Sequence, residues 1–140
     1  MNVSTFMLCD AINNVNSPQG TVVSQLISPR TVLRPQFIPS AFSFGISIGI
    51  EGVDLHKNNK ISFKILDPDG NLLQASEDNE LPATKNEDTL PTEYQGYVLS
   101  IDIRNLIIKK SGLYVFSLSL NGEEICSKNI PIYEAKNEHN

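Results

Sequence analysis

The chain is short of the residue types that most often carry chemistry. It has no tryptophan, two cysteines and two histidines in 140 residues. Cys9 and Cys126 stand near opposite ends, where a disulfide would close a long loop, and small secreted scaffolds usually carry more cysteines than this. Both read as free, partly buried thiols in strands, the usual habit of unpaired cysteine. Their spacing holds no metal-ligand pattern. His139 falls in a polar tail and His56 in a loop, and neither sits in a motif. There is no H-x-x-x-H, no C-x-x-C, no glycine-rich phosphate loop and no G-x-S-x-G. No apolar run approaches the ~20 residues of a membrane helix. The start, MNVSTFMLCDAINN, lacks the basic residues and long apolar core of a signal peptide. These absences set the expectation of a cytoplasmic protein with no cofactor, no metal and no membrane partner. Basic residues are scarce too. Eleven Lys and Arg against 16 Asp and Glu give a net charge of −5, which argues against nucleic acid, since its binders present a basic face.

What the chain does have is alternation. One domain over residues 1–133, followed by a polar tail at 134–140, is large enough to bury a core without disulfides or metal. Residues 3–12 read as a first strand ending at Asn13, Asn14 and the turn-prone NSPQG, with a helical turn as the alternative. A second strand, TVVSQLI, covers 21–27 and closes at Pro29. Residues 28–40 carry Pro29, Pro35 and Pro39 and suit an extended connection or edge segment crossing between sheets, because proline donates no ladder hydrogen bond. Residues 41–51 give the cleanest strand. Phe42, Phe44, Ile46, Ile48 and Ile50 share one face, and Ser43, Gly45, Ser47, Gly49 and Glu51 the other, where the small residues either admit another chain or mark nothing at all.

A further strand at 60–66 leads into DPDGN, whose proline and Asp-Gly form a hairpin signal before 72–75. The aspartates there lack the remaining oxygen ligands of a calcium loop, so the turn reading is preferred. Residues 76–93 read first as a mobile acidic loop, which Leu81 and Leu90 would pin to the body as a short edge strand, with a binding loop for a basic partner as the lesser reading. The region 99–120 reads as two alternating strands joined by a corner. Asn121-Gly122 then turns the chain into a last strand at 124–133, with a bulge expected between Cys126 and Asn129 and an edge position for Pro131.

The spacing of Ile101, Ile103, Leu106, Gly112, Tyr114 and Phe116 resembles the strand E to strand F region of immunoglobulin-like domains. The resemblance implies an all-β antiparallel sandwich of two sheets and about seven to nine strands, with Leu106 as core plug and Tyr114 as corner tyrosine after Gly112. Lys110 replaces that family's acidic residue, and Phe116 its cysteine. The chain as a whole is also similar to small bacterial proteins grouped as a family of unknown function, through Leu8-Cys9-Asp10, DPDGN and GLYVF.

Three functions are weighed on these grounds. The first is a non-enzymatic protein-interaction or assembly module, binding a protein partner or a second copy through a sheet edge or the long loops. The second is a small-ligand or anion binder using Arg30 and Arg34, against the plainer reading of solvated linker arginines. The third is a cysteine-dependent enzyme built on Cys9, Asp10 and His56, disfavoured because thiols in apolar strands are inert unless their pKa is lowered.

Overall fold

A computed structural model of the chain describes residues 2–20, 22–81, 83 and 90–135. The strands are β1 (Asn2–Asn16), β2 (Val22–Arg30), β3 (Ser40–Glu51), β4 (Asn59–Leu66), β5 (Leu72–Ala75), β6 (Asn79–Leu81), β7 (Gly96–Ile108), β8 (Gly112–Leu120) and β9 (Glu123–Ile132). They pair antiparallel in two sheets, of order β2-β1-β3-β7 and β5-β4-β8-β9, with β6 also on β4. No helix among the described residues is long and apolar enough to cross a membrane.

The alternation of β3 positions the core. Phe44, Ile46, Ile48 and Ile50 are buried, and the second sheet supplies Ile65, Tyr114, Phe116, Leu118, Leu120, Ile130 and Ile132. Each such side chain contributes about 2 kcal/mol of apolar burial. The phenyl ring of Phe116 meets Phe6 of the opposite sheet at 5.8 Å and Phe63 of its own sheet at 5.6 Å. The small outer face of β3 is filled by the chain's own β1. A Cβ on Gly45 would lie 2.9 Å from the Cys9 sulfur, and one on Gly49 would lie 2.7 Å from the Thr5 hydroxyl.

Three boundaries differ from the sequence reading. Asn13 and Asn14 do not end β1; they pair with Gln25 and Ser24 of β2, and the turn falls at Ser17 to Gly20, where φ of Gly20 is +80°. β2 runs on through Pro29 to Arg30, tolerated because β2 is an edge. The bulge in β9 sits at Ile125, since Leu118 pairs with Cys126 and Ser119 with Glu124. It therefore lies just before Cys126, not after it.

The proline-bearing stretch is not a crossing from one sheet to the other: it joins β2 and β3 of the first sheet and touches the second on its way. Leu33, fully buried, makes a parallel bridge to Ile132: its N–H donates to the Pro131 carbonyl at 2.9 Å, and its own carbonyl accepts from Tyr133 at 3.0 Å. A second bulge lies in β7, where the inward phase moves from Ile103 to Leu106. Asn105 takes φ +53° there and donates its N–H to the Ser43 hydroxyl at 2.9 Å.

Candidate functional site

The residues singled out by sequence go to different places. Tyr114 is buried and its hydroxyl donates to the Lys110 carbonyl at 2.7 Å, across the connection from β7 to β8. Leu106 is buried in the core. Gly112 has φ +155°, and a Cβ there would meet Pro68 at 2.8 Å. The Lys110 ammonium pairs with Asp69 of the DPDGN turn, so the corner and that turn are tied together. Within the turn, Asp67 accepts the N–H groups of Asp69 and Asn71 at 2.9 and 2.8 Å. The hydrogen bond from the Asn71 backbone leads the effects that hold its carboxyl below the usual range. Its oxygens thus serve the turn.

Arg30 and Arg34 each have a separate partner. Arg30 grips Asp10 with two hydrogen bonds, of 2.6 and 2.8 Å, which lower the Asp10 pKa. Arg34 donates to the Glu134 carbonyl at 3.1 Å. Cys9 is buried, and desolvation foremost pushes its thiol pKa up, followed by the charge of Asp10. His56 lies in the loop after β3, where its N–H donates to Asp54. His139, the tail beyond 135 and part of the acidic loop (82 and 84–89) lie outside the described residues. Among the described residues, no group of three or more His, Cys, Asp or Glu is arranged to hold a metal.

The feature that stands out is a groove where one side of the sandwich is open. β7 ends the first sheet. Opposite it, the margin of the second sheet is broken: β5 covers Lys64 to Leu66 of β4, and β6 covers Asn59 to Ile61. Between them Ser76 takes the Phe63 N–H at 2.9 Å. The groove, about 340 Å³, is lined by Ile61, Phe63, Leu81, Leu99, Ile101 and Leu118, with Asp102 and serines at the rim. Leu99 and Ile101 are only half-buried, although they share the inward phase of β7 with the fully buried Ile103.

Asn59 sets the spacing at one end of this groove. Fully buried and paired opposite Leu81, it donates to the Asp54 carbonyl at 3.0 Å and the Tyr97 hydroxyl at 3.1 Å, and accepts from Asn121 at 3.0 Å. It thereby links β4, β7 and the β8–β9 turn. Sequence reasoning missed both Asn59 and the groove. The apolar phase of Leu99 and Ile101 was visible, but that β7 is an edge is a property of pairing order and leaves no local mark.

No curated protein matches the chain. A family model matches residues 4–133, from β1 through the end of β9: the chain belongs to a family of unknown function, DUF6941.

Proposed function

We propose that this DUF6941 member is a non-enzymatic protein-interaction module that takes an extended segment of a partner protein along β7. The observation that carries the reading is the edge of β7, unpaired among the described residues, running beside an apolar groove. Strand addition draws affinity from main-chain hydrogen bonds and specificity from pockets for alternate side chains. Natural edges are blunted by Lys, Pro or bulges. From Gly96 to Ile103, β7 carries neither Lys nor Pro, and its bulge comes only at Asn105. Eight residues remain for pairing, which at ~3.3 Å per residue suits a segment of about six to eight. Leu99 and Ile101 would receive its apolar side chains. Asp102 in the groove, with Glu77, Asp78 and Glu80 on the adjoining chain, favours a segment that also carries Lys or Arg.

The architecture supports this reading. The order β1-β3-β7 over β5-β4-β8-β9, with the Tyr114 hydroxyl closing the β7–β8 connection, fits an immunoglobulin-like sandwich whose strands A, B and E face C, F and G. Two unpaired thiols suit a reducing compartment such as the cytoplasm. The anion-binding alternative has less support, since Arg30 and Arg34 are each engaged elsewhere. The thiol-enzyme alternative has least, because Cys9 is buried with a raised pKa.

The test is selection from a displayed library of random nine-residue peptides, followed by amide hydrogen exchange on the complex. Peptides alternating apolar and polar positions should be enriched, should protect residues 96–103, and should lose binding to Leu99→Glu. No enrichment, or protection confined to other strands, would refute the reading.

A further inference from the structure

The groove leaves unexplained the opposite margin of the same sheet. Past Cys9, which pairs with Gly45, β1 has no further partner on β3. Among the described residues it continues with β2 alone, as a two-stranded ribbon in which Ala11 faces Ile27, Asn13 faces Gln25 and Val15 faces Val23. A lone ribbon of two strands is marginal in water. This one leaves Val15, Val23 and Ile27 exposed at 43%, 46% and 40%, all on one phase of the pairing.

Residues 11–29 contain no Asp, Glu, Lys, Arg or His, on a chain of net charge −5. At the root of the ribbon, the two hydrogen bonds between Arg30 and Asp10 pair the nearest opposite charges with each other. Edge strands that remain monomeric usually carry a charge or a central proline to deter pairing. β2 has no charge before Arg30, and its proline, Pro29, is the residue before it.

We propose that β2 pairs antiparallel with β2 of a second copy of this chain, about a two-fold axis at Gln25. The sequence there, Val23-Ser24-Gln25-Leu26-Ile27, sets a β-branched residue two positions to either side of Gln25. In this register Val23 lies opposite Ile27 of the second copy, twice over, and Ser24 lies opposite Leu26. The odd-numbered phase of one strand meets the odd-numbered phase of the other, as antiparallel hydrogen bonding requires. The two ribbons then become a four-stranded sheet, β1-β2-β2-β1.

A second copy is favoured as occupant by charge. Two acidic chains repel across most of their surface, and the ribbon is a stretch where identical copies meet without like charges. A two-fold contact also closes on itself with two copies, whereas ribbon-to-β7 pairing is head-to-tail and needs a ring of copies to close or else runs on as a filament.

Light scattering over a dilution series tests this. The wild type should be a dimer that dissociates on dilution. Gln25→Lys and Gln25→Glu each place like charges across the axis and should raise the dissociation constant about tenfold or more. Gln25 is exposed, so both should fold as the wild type does, checked by circular dichroism. An equal mixture of the two variants should recover a mixed dimer. A wild type that is monomeric throughout, a dimer indifferent to both substitutions, or one that yields only to Val98→Lys on β7 would overturn the proposal.

Discussion

Tyr114 has to remain a donor for its corner to hold, and burial foremost pushes its phenol pKa upward, keeping the proton on. Removing the hydroxyl strands the Lys110 carbonyl that now accepts from it at 2.7 Å. Tyr114→Phe should therefore cost about 1 kcal/mol or somewhat more. Denaturant unfolding reads this directly, and an unchanged midpoint would show that water replaces the bond without loss. This geometry was legible beforehand because it is local: acceptor, glycine and tyrosine fall within five consecutive residues. Asn59 is the contrast. Its partners Tyr97 and Asn121 are 38 and 62 residues away, so in sequence it is one more polar residue in VDLHKNNK. A buried amide defined by distant partners has no local pattern to announce it.

Strands were legible where one periodicity held throughout and blurred where it changed. β3 alternates without interruption, and its sequence bounds agree with the structure to one residue. β7 changes phase between Ile103 and Leu106, a switch that only a bulge can produce; the sequence contained that signal at Arg104-Asn105. At Asn13 and Asn14 turn propensity pointed the wrong way, because pairing with β2 outweighs the weak preference of asparagine for turns. Gly96 is another residue whose meaning belongs to its element. A Cβ there would lie only 2.7 Å from the Ile50 carbonyl carbon and 2.8 Å from the Glu51 Cα, where β7 first meets the end of β3. Backbone cannot yield as a side-chain tip does. Gly96→Ala should cost about 2 kcal/mol or more, measured as a fall in unfolding midpoint. It should also raise amide exchange along Tyr97 to Leu99 relative to β8, and equal exchange in both would mean that β7 docks without needing the glycine.

Across the molecule, the two sheets are held by one core, and the segment between β2 and β3, which starts and ends in the first sheet, reaches over to the second. Leu33 belongs to that segment but is buried against the end of β9. Leu33→Ala should cost about 3 kcal/mol through lost transfer energy and cavity formation. Because the side chain touches both halves, the whole chain should still unfold in a single step, seen as coincident transitions by fluorescence of the tyrosines and by far-ultraviolet dichroism. Separate transitions would make the sheets independent units. None of this long-range pairing was readable in advance, since the proline-bearing stretch advertises a connection and not its destination.

The bridge between Leu33 and Ile132 also bears on how the protein is made. A chain emerges from the ribosome with its N-terminal end first. The first sheet can complete its order β2-β1-β3-β7 once residue 108 has emerged, yet Leu33 has no place to bury itself until residue 132 follows. During that interval the strands β8 and β9, which supply much of the second sheet's core, are still missing, and Leu33 has no cover. The final strand of this sandwich is the one that covers Leu33, about a hundred residues behind it.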